Sequence, residues 1–285
     1  MIEKELKRKY QEKDVSLFGE KNIENSLALL YHENSKLSFL GMRALSERIG
    51  RFSIPFIINR SIQPYKIYPG AERIDLNQYM FNLEKPIGRC LLERTSTRDY
   101  DSSYKLSTNE LAQLLLGAYG ETRRVKSVVN GEIQEHGFRT APSAGALYGL
   151  EIYIVALHTH IKEGIYHYCV KENSLELLKE GNFITDLETF IQAEPFVHIR
   201  DACAVMLISG IPERFMIKYG ERGYRFLIME SGIVAQSVSL ILEAMNLSSC
   251  ILGGFHDDKL NGLLGIDGTF ESVNNVISIG KRKNG

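Results

Sequence analysis

In the second two-thirds of the chain, continuous apolar runs alternate with polar stretches that contain glycine. Residues 150–157 and 203–209 contain almost only apolar and β-branched side chains, a pattern typical of strands that are buried on both faces. Shorter apolar runs predict further strands at residues 164–170, 174–178, 249–252 and 275–279. The pattern thus predicts several buried strands in this part of the protein.

The longest helical segment, residues 224–245, is apolar on almost every side. A helix without a wide polar face must be covered on all sides, so we expect a dimer interface to cover part of it. Another helix starts at a capping box of Ser107 and Glu110, and we expect it to end at Gly120 in the left-handed conformation. Shorter helices are predicted at residues 23–32, 37–49 and 184–192, and one capped by Asp257 or Asp258 runs through Leu264.

The first 85 residues differ from the rest of the chain. Prolines punctuate them, and few long apolar runs lie between residues 55 and 83, which predicts extended, turn-rich chain there. We therefore divide the chain into an N-terminal appendage, residues 1–85, that packs on the main domain or on a partner, and a main domain, residues 86–285.

Residues 121–138 are polar and basic, and they contain Asn130-Gly131, a dipeptide typical of hairpin turns. We expect this segment to form a mobile loop that covers a site.

Composition excludes several classes of protein. The 285 residues are 44% hydrophobic with a net charge of −1, which gives no reason to expect nucleic acid or a membrane surface as the partner. The charged N-terminus shows no secretory signal, and the four cysteines lie far apart without a C-x-x-C pair, so a reducing cytoplasm fits best. His158 and His160 have no third ligand at a useful spacing, so no metal site is predicted.

Three stretches contain the candidate chemistry. Residues 94–98 have the sequence R-T-S-T-R, with two guanidinium groups and three hydroxyls that suit a phosphate monoester. Taken in isolation, such an R-x-x-x-R segment is more often a solvated basic turn. Residues 141–146 are small and lead into the buried strand at 150–157, so a flat ligand has room against the backbone. A tight loop before a core strand is the alternative. Gly253-Gly254 offers a second such surface. The basic residues 281–283, which follow the last predicted strand, could join Arg94 and Arg98 on one phosphate, although a solvated basic tail is the simpler explanation.

Together these motifs resemble the nitroreductase superfamily of FMN enzymes, and within it the SagB-type azoline dehydrogenases of peptide natural-product biosynthesis. The resemblance spans residues 94–282 and rests on R-T-S-T-R, A-P-S-A-G-A-L-Y-G-L-E-I-Y, K-Y-G-E-R-G-Y-R-F-L-I-M-E-S-G and G-G-F-H-D-D-K-L, in the family's order. Gly149 departs from the pattern, because the family commonly has proline there.

The resemblance implies an α+β fold with a central mixed β-sheet wrapped by helices, and a homodimer with FMN at its interface. The phosphate and ribityl chain would contact Arg94, Thr95, Ser96, Arg98, Lys281 and Arg282. The isoalloxazine ring would be bordered by Pro142, Ser143, Ala144, Gly145, Gly253 and Gly254.

The same resemblance implies oxidation of thiazoline or oxazoline rings to thiazole or oxazole in a ribosomally made peptide, with cyclodehydratase subunits and a precursor peptide as partners. Aromatisation removes a proton and a hydride from adjacent ring carbons, so the protein must supply a base. Lys218 and Tyr219 are the candidates, with Tyr219 as the base. Its ordinary pKa of ~10 is too high unless the neighbouring Lys218 cation lowers it. Adjacent side chains on a strand point apart, so the pair would need an irregular backbone, which Gly220 permits.

Three alternatives remain open on the sequence. A generic NAD(P)H-dependent nitro- or quinone reductase would use the same FMN site without the Lys218–Tyr219 pair. A reductase of dehydroamino acids in peptides would run the chemistry in the opposite direction. A flavin-bound scaffold of a cyclodehydratase complex would perform no chemistry at all.

Overall fold

A seven-stranded sheet forms the centre of the computed structural model, which describes residues 27–61, 64–193 and 195–283. Its strands are β1 (Glu72–Asp75), β4 (Leu150–Ala156), β5 (Gly164–Cys169), β6 (Ser174–Glu180), β7 (Ala204–Gly210), β8 (Ser248–Leu252) and β9 (Ser272–Gly280). Across the sheet they follow the order β1-β6-β5-β4-β7-β9-β8. Every ladder of this sheet is antiparallel, and an isolated parallel bridge between Ser96 and Ser249 adds parallel pairing at its β8 edge. The predicted α+β class and the predicted strands are confirmed.

The helices lie on both faces of the sheet. They are α1 (Leu27–Asn34), α2 (Phe39–Gly50), α3 (Pro55–Ser61), α4 (Ile87–Glu93), α5 (Thr108–Tyr119), α6 (Ile184–Phe190), α7 (Glu213–Tyr219), α8 (Arg222–Ala244) and α9 (Asp257–Leu264). Strand β4 is buried along its whole length. Ile152 and Ile154 join a core shared with α5 and α8, whereas Tyr153 and Val155 join a second core shared with α6 and α9. This alternation is the two-residue period of a strand that is covered on both faces.

Residues 121–139 form a β-hairpin, so the prediction of a loop was wrong. Strands β2 (Glu121–Val129) and β3 (Glu132–Arg139) pair with each other, and Asn130 and Gly131 make the predicted turn with φ values of 49° and 85°. Helix α5 begins at the predicted capping box, but Gly120 is extended, with a φ of −68°, rather than left-handed. The reason is that β2 starts at the next residue, so the chain leaves the helix directly into a strand.

The N-terminal part is more regular than predicted. Pro55 begins helix α3 instead of interrupting the chain, because proline lacks only an N–H that the first helical turn leaves unpaired. Strand β1 pairs with β6 and so adds the edge strand to the main sheet. Of the helix predicted at residues 23–32, residues 23–26 lie outside the described residues. The division at residue 85 stays a prediction.

Helix α8 has one buried face and one exposed apolar face. By length and composition it could cross a membrane, but half of its apolar window is buried inside the protein. Leu227, Val234 and Val238 are fully or almost fully buried, whereas Ile228, Met229 and Ile233 are 47%, 61% and 38% exposed. The predicted absence of a polar face is confirmed, and the dimer interface proposed to cover it stays a prediction.

Candidate functional site

The segment R-T-S-T-R follows α4 and lies along the edge of the sheet. The amide of Thr97 donates to the carbonyl of Ser249 (3.0 Å), and Ser96 bridges to the same residue of β8. The side chains of Thr95, Ser96 and Arg98 are exposed. The segment is therefore anchored by its backbone, which leaves these side chains free to face a ligand.

The end of the chain brings one of its two predicted basic residues to this segment. Arg282 Nη2 donates to Thr95 Oγ1 (2.5 Å), and Arg282 Nε donates to Thr97 Oγ1 (3.4 Å). Lys281 Nζ instead donates to the carbonyl of Asn246 (2.7 Å). Successive side chains of an extended chain point to opposite sides, so only Arg282 reaches the segment.

The charge of this region suits a phosphate monoester. Within the described part of the chain, neither the Arg94 nor the Arg98 guanidinium is paired with a carboxylate. Together with Arg282 and the hydroxyls of Thr95 and Ser96, they offer the forked, permanently charged donors that phosphate oxygens bind. These residues fit the phosphate end of FMN.

The small-residue stretch forms a strained loop, which we call the Ser143–Tyr148 loop. Gly145, Ala146 and Tyr148 have φ values of 65°, 54° and 46°. A non-glycine residue in this region costs about 1–3 kcal/mol, and such strain is concentrated at functional sites. The amide of Tyr148 donates to Ser143 Oγ (2.9 Å), which holds the loop closed. Pro142 and Gly145 are exposed, and Ser143 and Ala144 are half-buried, so their backbone is open to a flat ligand.

A buried carboxylate supports this loop. Tyr119 Oη donates to Glu230 Oε1 of α8 (2.5 Å) and accepts from the amide of Leu150 at the start of β4 (3.1 Å). Burial raises the pKa of Glu230, and the neighbouring hydroxyls of Ser143 and Tyr119 partly oppose that shift. Glu230 was not among the predicted site residues, although a carboxylate within an otherwise apolar helix was an available signal.

Lys218 and Tyr219 converge on Gly145. Both occupy the last turn of α7, which Gly220 ends with a φ of 59°. A Cβ added to Gly145 would lie 2.5 Å from Tyr219 Oη and 3.0 Å from Lys218 Nζ. A helix places neighbouring side chains about 100° apart, so both can reach one loop, and the pair itself does not need the irregular backbone that was expected.

The pKa shift of Tyr219 is opposite to the one expected. Burial raises the pKa of Tyr219 and lowers the pKa of Lys218. Both side chains are half-buried, so water solvates their charged forms less well than it would in solution. This loss favours the neutral form of each group, which raises the pKa of the tyrosine and lowers the pKa of the lysine. Relative to their ordinary pKa values, Lys218 therefore loses its proton more easily and Tyr219 less easily.

A buried ionic chain ties α7 to the sheet. His167 lies between Glu176 (Nδ1–Oε2, 2.9 Å) and Glu151 (Nε2–Oε2, 3.0 Å), and all three side chains are buried. Glu151 Oε1 forms an ion pair with Arg214 Nη2 on α7 (2.5 Å), and Arg214 Nη1 donates to the carbonyl of Tyr148 (3.0 Å). None of these four residues was a predicted site residue, although charged residues inside apolar strands were a visible signal in the sequence.

Gly149 lacks a side chain because Phe215 occupies the space. A Cβ at Gly149 would clash with the Phe215 ring and lie 2.9 Å from Leu227 Cδ1. The departure from the proline common in the family is therefore matched by an aromatic ring of α7.

Gly253 and Gly254 follow β8. A Cβ on Gly253 would meet nothing within 4 Å, whereas Gly254 accepts a hydrogen bond from the amide of Gln192 (2.8 Å). Helix α9 has His256 at its N-cap position without a side-chain cap, and Asp257 is its first residue. The predicted aspartate cap was wrong.

These residues form two groups at different levels of α8. Ser239 Oγ lies 3.3 Å from Ser249 Oγ, beside the R-T-S-T-R segment, whereas Glu230 supports the Ser143–Tyr148 loop. Nine residues of helix separate the two levels by about 13 Å. FMN has its phosphate and its ring at opposite ends, so two separated groups fit it.

The residues that the structure describes include no group of three or more His, Cys, Asp or Glu side chains placed to hold a metal. His158 Nε2 lies 2.9 Å from the carbonyl oxygen of Arg200, and His160 is exposed. The four cysteines are free and buried.

The family model described as Nitroreductase family matches residues 91–281. A protein of Methanocaldococcus jannaschii whose name describes a nitroreductase is 35% identical over 177 residues, which are 62% of this chain and 82% of that protein. The microcin B17-processing protein McbC of Escherichia coli is 24% identical over 168 residues, 57% of this chain and 58% of McbC.

Solved structures share the fold. A protein from Anabaena variabilis described as a nitroreductase aligns with a TM-score of 0.68 at 25% identity, over 89% of this chain and 46% of that one. A chain of the E. coli microcin synthetase McbBCD complex, solved with truncated pro-MccB17 bound, aligns with a TM-score of 0.57 at 17% identity, over 87% of this chain and 99% of that one. This chain thus spans less than two-thirds of the Anabaena protein and of McbC.

Proposed function

The chain belongs to the nitroreductase family of oxidoreductases, and we propose that it is an FMN-dependent azoline dehydrogenase. Its substrate would be a thiazoline or oxazoline ring in a ribosomally made peptide, and its product a thiazole or oxazole. We further propose that it acts as a cytoplasmic homodimer together with cyclodehydratase subunits. The similarity to McbC, a microcin-processing protein, supports this choice among the activities of the family.

The contact of Lys218 and Tyr219 with Gly145 is the observation that carries the proposal. A flavin-dependent reductase fed by NAD(P)H needs no protein base at the ring, because hydride is all that it transfers to the flavin. A dehydrogenase of azolines must also remove a proton. Two titratable groups that meet on the loop proposed to border the flavin are placed for that task.

The proposed reaction balances with two transfers. FMN, when bound, accepts the hydride from one ring carbon. The proton from the neighbouring carbon passes to the Lys218–Tyr219 pair, with the lowered pKa of Lys218 favouring its amine as the acceptor. The Tyr219 hydroxyl, whose pKa is raised, then serves to orient the ring or the amine. We propose dioxygen as the final acceptor of the two electrons that this oxidation releases.

The test uses the full chain, FMN and an azoline peptide. Oxidation removes two hydrogens per ring, which mass spectrometry reads directly. Loss of a general base lowers the rate by about 10²–10⁴-fold, so Lys218→Met should nearly abolish product while the protein stays yellow. The Tyr219→Phe variant tests the second residue of the pair. A near wild-type rate of azoline oxidation in this variant would show that Tyr219 takes no part in the proton transfer. A wild-type protein with full FMN and no product would contradict the proposal.

A nitroreductase remains the second candidate, because the M. jannaschii relative is the more similar of the two curated proteins compared. Mixing the FMN-loaded protein with NADPH in the absence of oxygen distinguishes the nitroreductase from the azoline dehydrogenase. Rapid bleaching of the flavin would favour a reductase, whereas bleaching by the azoline peptide alone would favour the dehydrogenase.

A further inference from the structure

A cavity of about 790 Å³ separates the N-terminal helices from the main domain. One wall comes from α2, α3 and the turn between them, with Arg48, Arg51 and Phe56. The opposite wall includes Leu147 of the Ser143–Tyr148 loop and Ile217 of α7. The volume lies in the upper part of the ~300–1,000 Å³ range of ligand pockets, so the cavity has room for more than one azoline ring.

The cavity adjoins the candidate catalytic pair. Phe52, which lines the cavity, has its ring centroid 5.1 Å from Lys218 Nζ. Arg48 Nη1 donates to the carbonyl of Met216 (3.1 Å) and thereby holds α2 against the helix of the pair. A molecule in the cavity would therefore contact Phe52, whose ring lies over the Lys218 ammonium group.

The lining combines apolar surface with positive charge. Phe56 is 75% exposed and Ile217 is 48% exposed, so both offer apolar area to a ligand. Arg48 and Arg51 are exposed, and within the described residues neither guanidinium is paired with a carboxylate. Glu213 is the one carboxylate among the described lining residues, so the wall of α2 presents unbalanced positive charge.

We propose that this cavity binds the peptide segment that flanks the reacting ring, and that Arg51, with Arg48, selects segments that contain a carboxylate. This inference rests on the proposed function, because it names which part of the peptide the protein recognises. The carboxylate belongs either to an aspartate or glutamate side chain or to the C-terminus of the peptide. Apolar side chains of the same segment would pack on Phe52 and Phe56.

The test measures binding separately from turnover. Fluorescence anisotropy is recorded with dye-labelled peptides whose rings are already oxidised, so that no reaction occurs. Three peptides differ only in charge: one contains Asp beside the ring and a free C-terminus, one has Asn in its place, and one has Asp with an amidated C-terminus. Weaker binding of the Asn peptide alone assigns the recognised carboxylate to the side chain, and weaker binding of the amidated peptide alone assigns it to the C-terminus.

Arg51→Gln is compared with the wild type and with Arg43→Gln, a control variant on α2, the helix that ends just before Arg51. Arg43 is 82% exposed, pairs with Glu47 and does not line the cavity. An exposed ion pair contributes up to about a fivefold change in affinity. The wild type and Arg43→Gln should bind the carboxylate peptide about threefold to fivefold more tightly than its neutral counterpart, and Arg51→Gln should show no preference.

The outcomes of binding and of turnover are distinguishable. A wild type that oxidises azoline peptides but binds the three peptides equally would overturn the cavity proposal and leave the function standing. The opposite result is a wild type that prefers the carboxylate peptide but oxidises no azoline, with an Arg51→Gln variant that lacks the preference. That result would support the cavity proposal and overturn the dehydrogenase. Loss of preference in Arg43→Gln as well would overturn the role of Arg51, since a general charge effect would explain it.

Discussion

The Tyr219 hydroxyl lies so close to Gly145 that a Cβ on residue 145 would be 2.5 Å from its oxygen. Gly145 also has a positive φ of 65°. Two independent constraints, the backbone conformation and the contact, therefore require glycine at this position. The loop proposed to border the flavin and the pair proposed to move the proton meet at this one residue.

Gly145→Ala should separate these two constraints when it is compared with Gly265→Ala. Gly265 has a φ of 75° but open space around it, so it shares only the backbone penalty. We expect both variants to lose about 1–2 kcal/mol of unfolding free energy in urea. Only Gly145→Ala should lose azoline oxidation, by about a hundredfold, because misplaced reacting groups are costly. Wild-type turnover in Gly145→Ala with full flavin would contradict the arrangement.

Arg94→Ala/Arg98→Ala should release FMN on dilution. Charge-assisted hydrogen bonds contribute about 1.5–3 kcal/mol each, so the loss of two raises the dissociation constant at least tenfold even after discounting exposure. The flavin absorbance that remains with the protein after gel filtration gives the measurement. Arg89→Ala is the control, because Arg89 lies on the preceding helix and pairs with Glu93. Full FMN occupancy in the double variant would contradict the assignment of Arg94 and Arg98 to the phosphate group.

Ile228→Glu/Ile233→Glu should disrupt the predicted dimer. Both side chains lie on the exposed apolar face of α8, where a partner would desolvate the new carboxylates without neutralising them. Sedimentation velocity at micromolar concentration should show a dimer for the wild type and a smaller or unfolded species for the variant. Phe270→Glu, at a residue that is 68% exposed outside α8, should stay dimeric. A stable, folded wild-type monomer would refute the interface.

His167 should make the stability of the protein depend on pH. Burial alone lowers the pKa of His167, but hydrogen bonds to Glu151 and Glu176 outweigh it and raise the pKa above 6.5. A raised pKa in the folded state stabilises the protein fully below the unfolded value of ~6.5, and this contribution disappears as the pH rises through the folded value. The pKa of Glu151 is lowered, so its own contribution disappears only at acid pH.

Urea unfolding at pH 6, 7.5 and 9 measures this dependence. The wild type should lose stability as the pH rises, and His167→Gln should lack that slope. The variant should also be about 1.5–3 kcal/mol less stable at pH 6, since it removes the charged hydrogen bonds that His167 makes to two buried carboxylates, which keep Arg214 and Arg73 as their remaining cations. His160→Gln, at an exposed histidine, should keep the wild-type slope. An identical slope in His167→Gln and the wild type would show that another group titrates.

Local sequence determined the elements of the fold where one physical cause dominates. The strand at 150–156 follows from a run of apolar side chains that only burial on both faces can satisfy. The start of α5 follows from the reciprocal hydrogen bonds of Ser107 and Glu110, and the hairpin turn follows from the positive φ that Asn130 and Gly131 tolerate. Each of these causes acts between residues that are close in the chain, so the pattern alone reveals it.

Only the tertiary structure decided which distant residues meet. The family resemblance named Lys218 and Tyr219, but only the packing of α7 places both against Gly145. Packing likewise brings Arg282 to Thr95, whereas Lys281 binds the carbonyl of Asn246. Three-dimensional packing also decided the pKa directions of the pair, because burial depends on elements far away in the chain. The same holds for His167, since the carboxylates that hold its charge come from two other strands of one sheet.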